Sequence, residues 1–146
     1  MAEALAAPHV LEYPYTRSTG EVIGRFFAGL RERRILGVRT PEGRVLVPPQ
    51  EYDPETGAEL SEMVEVRESG VVTSWTWIAE PRAKHLLQKP FAFALVILEG
   101  ADTAMLHMID AGDEAVMRAG MRVRVRWAGE LIGDITDIAC FEPEVA

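Results

Sequence analysis

Four side chains sit where two tight turns would present ligands to a metal ion. They are Arg39 and Glu42 in one turn, and Asp53 and Thr56 in the other, each pair separated by two residues. That spacing suits a structural zinc site, which needs soft thiolates or imidazoles. An arginine, two carboxylates and a hydroxyl make a poor substitute, so no zinc is expected here. Two readings of these four residues stand side by side. The Arg39 guanidinium could lie between Glu42 and Asp53 and hold the turns together in place of a metal. Alternatively the turns hold through their own proline and glycine chemistry while the charges face water, where an exposed pair contributes roughly 0–1 kcal/mol.

The second group of residues with chemical potential is the segment Glu80-Pro-Arg-Ala-Lys-His-Leu-Leu-Gln-Lys-Pro90, which gathers Arg82, Lys84, His85 and Lys89. It is the largest basic cluster in a chain of net charge −8. Such a cluster could attract phosphates. Trp75 and Trp77, two apart on the preceding strand, could stack on a nucleobase or fill a core. Tryptophans are more often core and a basic loop is more often solvated, so a ligand site of Trp75, Trp77, Arg82, Lys84, His85 and Lys89 needs independent support.

Other chemistry finds little footing. His9, His85 and His107 lie at no metal-binding spacing from one another. Ser18, Ser61, Ser69 and Ser74 lack a nucleophile-elbow setting. Cys140, the single cysteine, has Asp134, Asp137 and Glu142 nearby, which disfavours a thiolate. A lone cysteine excludes an intramolecular disulfide and fits a reducing cytoplasm, the expected location. The acidic balance argues against a single-strand-binding groove, which needs positive charge and exposed aromatics. No apolar run is long enough to span a bilayer, and no secretion signal is evident at the start.

The elements that must position these residues can be read from periodicity. At 146 residues, 48% hydrophobic and 26% charged, the chain has an ordinary globular balance. Residues 1–17 read as a tail, either loose or wrapped around a partner. Ser18-Thr-Gly-Glu21 has the form of a capping box. Val22, Ile23, Phe26, Phe27 and Leu30 then recur at helical spacing, predicting a helix over about 19–33. Its wide stripe either caps a barrel or, through Phe26, Phe27 and Leu30, docks on another protein. Strands are expected at 35–39 and 44–47, around the Pro41-Glu42-Gly43 turn. Pro48-Pro49 then ends the pairing. Asp53-Pro-Glu-Thr-Gly57 supplies a second turn of suitable composition. Further strands are expected at 62–67, 70–78, 91–99, 103–109, 122–127 and 132–140, with one helical turn at 113–118. In Met121-Arg-Val-Arg-Val-Arg-Trp127 the apolar residues alternate with Arg122, Arg124 and Arg126, the pattern of a half-buried strand with a cationic outer face.

The turn spacing, Gly43, the Pro48-Pro49 corner, Pro54 and Gly57 together resemble the DUF35 family. Its members combine an N-terminal helix, a rubredoxin-like zinc ribbon and a C-terminal OB-fold. The resemblance runs from about Tyr13 to about Phe141, and only the ribbon cysteines are missing. It implies a mainly β fold with a tail at 1–17, a docking helix at 18–34, a degenerate, metal-free ribbon at 35–66 and an OB-fold barrel at 67–146. It also implies a non-catalytic accessory subunit of a heteromeric thiolase-fold enzyme acting on acyl-CoA, with no tightly bound cofactor. The Tyr-Pro-Tyr-Thr-Arg-Ser-Thr-Gly opening and the Val-Pro-Pro-x-Glu-Tyr-Asp-Pro corner resemble the branch that partners thiolase-like enzymes, including steroid side-chain aldolases. Family members also partner acyl-CoA hydratases. Two alternatives are a stand-alone acyl-CoA-binding module and, with less support, a nucleic-acid-binding OB protein.

Overall fold

The computed structural model describes residues 2–145. One α-helix, α1 (Glu21–Arg31), precedes β1 (Ile35–Arg39), β2 (Val45–Leu46) and β3 (Met63–Val66). Next come β4 (Ser69–Ile78), β5 (Phe91–Leu98), β6 (Met105–Ile109), β7 (Arg122–Trp127) and β8 (Ile138–Pro143). The first three strands form a sheet in the order β2-β1-β3, and the rest close a barrel in the order β4-β5-β6-β8-β7. The chain is mainly β, with an OB-like five-stranded barrel. Residues 35–66 form a three-stranded sheet with tight turns, and a rubredoxin-like character for it rests on the turn spacing alone.

The helix is shorter than its apolar stripe predicts. Its N-cap is Gly20 at φ 80°, and no side chain caps it. The expected Ser18–Glu21 box does not form. The left-handed Gly20 turns the backbone away, and the Ser18 hydroxyl accepts from the Gly20 amide instead, at 3.3 Å. At the other end Arg33 takes φ 57°, which stops the helix before it.

Phe26 and Leu30 are buried in one core with Val72, Val96, Val123 and Phe141 of the barrel and Ile35, Val45 and Val66 of the sheet. The helix therefore caps its own barrel. A smaller cluster of Val22, Val38, Leu46 and Leu60 lies beside it.

The β2 strand is only two residues long, yet it is pinned from its outer side by the β5–β6 loop. The Val45 amide donates to the Asp102 carboxylate and the Asp102 amide to the Val45 carbonyl, both at 2.8 Å. The Val47 amide donates to the Thr103 hydroxyl at 2.8 Å, and that hydroxyl donates back to the Val47 carbonyl at 3.1 Å. The loop acts as a further strand and leaves this sheet edge without free donors.

The strand expected at 132–140 is displaced towards the C-terminus. Residues Ile135–Asp137 form a 3-10 turn closed by a reciprocal capping box between Asp134 and Asp137. The Asp137 carboxylate also accepts from the amides of Ile132 and Gly133, both at 2.8 Å. Aspartates that bind nearby amides compete with strand pairing, so β8 begins only at Ile138.

Candidate functional site

The four turn residues Arg39, Glu42, Asp53 and Thr56 do not converge on one another through Arg39. Its guanidinium pairs with Glu62 at 3.1 Å and donates to the Gly43 carbonyl at 3.4 Å. The two turns are linked instead by Arg44 and Glu55, 2.6 Å apart. The expected bridge from Arg39 to Glu42 and Asp53 is thus corrected. Arg39 lies on β1 facing β3, where Glu62 is the nearer carboxylate, while Asp53 is taken up by its own turn. Asp53 is buried, and its carboxylate accepts from the Glu55 amide at 2.9 Å. That bond, aided by Thr56, holds its pKa below the ordinary carboxylate value. The Thr56 hydroxyl accepts from the Ala58 amide at 3.2 Å, and Glu42 is exposed. Asp and Thr bonding locally to the backbone is ordinary turn chemistry. Among the described residues, no group of three His, Cys, Asp or Glu side chains could hold a metal ion.

The six residues of the expected ligand site fall on two faces of one sheet. A β-bulge between Val72 and Ser74 shifts the alternation of β4. Gly70 and Val72 point inward before it, and Trp75 and Trp77 do so after it. The tryptophans lie opposite Ala94 and Ala92 and pack on the barrel core. Two small residues leave room for two large ones. Phe91 and Phe93 alternate with these alanines and point outward, where they meet the basic loop. The His85 ring stands edge-on to Phe91 at 5.2 Å and to Phe93 at 5.7 Å. The tryptophans are therefore separated from His85 by the sheet itself.

Within the loop, most polar groups are engaged. His85 Nδ1 accepts from the Arg82 amide at 3.1 Å, and the Gln88 side-chain amide donates to the His85 carbonyl. Lys89 pairs at 3.0 Å with Asp110, whose side chain is 5% exposed. Asp110 also receives Arg126 at 2.8 Å. Burial alone would raise the Asp110 pKa, but hydrogen bonds and charge from Arg126 and Lys89 outweigh it and hold the carboxyl below its usual range. Arg82 and Lys84 remain exposed and, among the described residues, form no ion pair.

The outer face of β7 is not the bare cationic strip that its alternation suggests. Arg122 pairs with Glu99 and, at 3.1 Å, with Glu144. Arg124 reaches Glu142 at 3.1 Å, and Arg126 reaches the same carboxylate at 2.7 Å. Cys140, beside this ladder, is fully buried, and burial pushes its thiol pKa up. It is a neutral packing residue, not a nucleophile.

Of the expected docking residues, Phe26 and Leu30 are 2% and 0% exposed against the chain's own core. They are corrected to core residues, because the helix stripe is used up in capping the barrel. Phe27 is partly buried at its margin. An apolar surface not anticipated from the pattern lies on β5 and β6. Leu95 and Leu106 are cross-strand partners, 39% and 63% exposed. They border a shallow groove of about 230 Å³ with Ser74, Thr76 and Phe93. The signal was present in Phe91–Leu98, which carries no polar residue on either face, so its outward side chains need cover.

Residues 63–128 match the family model described as the C-terminal OB-fold domain of ChsH2. A DUF35 domain-containing scaffold protein of Pyrococcus furiosus is 27% identical over 104 residues, covering 70% of this chain and 76% of the relative. These matches support membership of the DUF35 family. Two solved DUF35 structures share its fold. A family member of unknown function from Sulfolobus solfataricus aligns with a TM-score of 0.63 at 21% identity, over 88% of this chain and 87% of that one. A chain of the Ltp2-ChsH2(DUF35) aldolase aligns with a TM-score of 0.64 at 20% identity, over 89% of this chain and all of that one (100%). The DUF35 likeness thus extends beyond the barrel to the helix and the three-stranded sheet.

Proposed function

We propose that this chain is a non-catalytic accessory subunit of a heteromeric, thiolase-fold enzyme acting on acyl-CoA, either a thiolase or an aldolase that shortens steroid side chains. The observation that carries the reading is the alignment over 89% of the chain to a component of the Ltp2-ChsH2(DUF35) aldolase. The match to the ChsH2 OB-domain family supports it, as does the description of the Pyrococcus relative as a scaffold. The chain's own chemistry is consistent with a supporting role. Cys140 is buried and neutral, and the β7 arginines are bound to carboxylates. In this reading the subunit organises the larger chain and helps position the thioester, with Arg82 and Lys84 turned towards the phosphates of coenzyme A. An acyl-CoA hydratase is a further candidate for the same assembly.

The test is co-expression with each thiolase-fold protein of the source genome, followed by gel filtration and an assay of thioester cleavage. The expected result is co-elution, with activity higher in the complex than in the large subunit alone. Separate elution from every such protein, with one of them fully active alone, contradicts the reading.

A stand-alone acyl-CoA-binding module is the second reading, favoured by the two exposed cations of the 80–90 loop. It requires coenzyme A binding by the isolated chain, weakened in an Arg82→Glu/Lys84→Glu variant. Lys89 is left out of this test because Asp110 already neutralises it. No heat of binding at millimolar coenzyme A removes this alternative.

A further inference from the structure

Residues 2–20 form neither helix nor strand, and each is exposed. Among the described residues, no hydrogen bond or ion pair ties 2–17 to the body. Yet this stretch holds Leu5, Val10, Leu11, Tyr13 and Tyr15, which are 103%, 74%, 67%, 71% and 76% exposed. Water-facing apolar side chains in such density mark an interaction segment. Their order is informative. Leu11, Tyr13 and Tyr15 recur at every second residue, so in an extended backbone they project to one side. Pro14 lacks an amide hydrogen and does not suit the interior of a sheet. The side chains, not a backbone ladder, must then carry the contact.

We propose that residues 5–15 are a docking strap that lies in an apolar groove of the thiolase-fold subunit, with Tyr13 and Tyr15 as its anchors. The inference rests on the accessory-subunit reading above and specifies which part of this chain grips the partner. Tyrosine combines large contact area, few rotatable bonds and a hydroxyl that needs an acceptor, so it is over-represented among residues that dominate interfaces. The groove must therefore be deep enough for two phenol rings and offer hydrogen-bond acceptors at its floor. Area supports a specific contact. Each tyrosine can bury roughly 150–250 Å², and the five exposed residues together approach the ~800 Å² per partner typical of a stable interface. Net charge of −8 weighs against a second copy as the occupant, since two such chains repel one another.

The full-length chain carrying Leu11→Ser, Tyr13→Ser and Tyr15→Ser is compared with the natural sequence. The measurements are thermal melting, self-association by light scattering, and affinity for the thiolase-fold subunit found by co-expression. The expected result is an unchanged melting temperature, an unchanged monomer mass and at least tenfold weaker affinity for that subunit. Undiminished affinity overturns the strap while leaving the accessory function standing. A lowered melting temperature overturns it by showing that the segment packs on its own body. A natural chain that dimerises while the variant does not assigns the strap to a second copy, which also overturns the proposal. If the natural chain binds no thiolase-fold protein, the function and the strap fall together.

Discussion

Replacing Asp102 with alanine removes one of the hydrogen bonds that join the small sheet to the barrel. The Asp102 carboxylate accepts from the Val45 amide at 2.8 Å, and Val45 is 5% exposed. A hydrogen bond to a charged group contributes about 1.5–3 kcal/mol, and a buried donor left unpaired costs about 1–3 kcal/mol. Asp102 itself is exposed, so water can reach part of the vacated space, and the lower half of that range applies. The expected loss is about 1.5 kcal/mol, which for a chain of this size lowers Tm by roughly 3–6 °C. Asp102→Asn keeps a neutral acceptor and should lose about half as much. Guanidinium unfolding with an unchanged m-value measures the loss. Hydrogen exchange locates it, because the Val45 and Val47 amides should lose protection while the amides of β5 and β7 keep theirs. A change below about 0.5 kcal/mol, within the usual range of inert surface substitutions, together with unaltered exchange at Val45, refutes the reasoning that the barrel loop holds the sheet.

Further predictions concern the barrel. A Cβ at Gly70 would lie 2.3 Å from the Ile97 carbonyl oxygen and 2.8 Å from the Leu98 Cα, so Gly70→Ala should cost about 3 kcal/mol or leave the chain insoluble, as read by circular-dichroism melting. His107 is buried with its ring 5.6 Å from that of Phe141. Burial depresses its pKa below the ordinary 6.5, and the Met108 amide donates to its Nδ1 at 2.9 Å, which suits the neutral ring. The unfolded state then binds the proton more readily, so this contribution is complete above about pH 6.5 and is lost as pH falls below it. Denaturation midpoints at pH 7.5 and 5.5 should differ, and His107→Gln should shrink that difference. Asp110→Asn removes the carboxylate shared by Lys89 and Arg126. With both cations able to reach water, the expected loss is about 1–2 kcal/mol, with faster exchange of the His85 amide in the released loop.

The alternation in Met121–Trp127 predicts β7 to the residue, because one face packs and the other carries arginines. It does not reveal that Glu99, Asp110, Glu142 and Glu144 neutralise those arginines, since the partners come from just past the ends of β5 and β6 and from β8 and the residue after it, brought close only by barrel closure. Trp75 and Trp77 share a face in the sequence, but which face depends on the bulge at Val72–Ser74, and no local signal marks that extra residue. The helix stripe was plain in Val22, Phe26 and Leu30, whereas its target was not. The same periodicity serves a barrel cap or a foreign surface, and only tertiary packing decides. The part played by Asp102 and Thr103 is not legible in the sequence for a related reason. A loop that mimics a strand has loop composition, and its role exists only beside the unpaired edge it completes.

The way the small sheet is held has a consequence for how the chain unfolds. In a zinc ribbon, a metal centre couples ligand turns through strong local bonds and contributes folding energy directly. Here the two turns carry Arg39, Glu42, Asp53 and Thr56, and cohesion lies elsewhere. One part lies in the Arg44–Glu55 pair across the turns, one in the Asp102 and Thr103 contacts to β2, and one in a core shared by the helix, the sheet and the barrel. A metal-bound ribbon can hold its own shape while the rest of the chain moves. A sheet held by a barrel loop cannot, because loosening either element frees donors on the other. Helix, sheet and barrel should therefore unfold as one cooperative unit. In the proposed accessory role, a chain built this way would present a partner with a single rigid body, and whatever adjustment binding requires would fall to the segment ahead of Gly20.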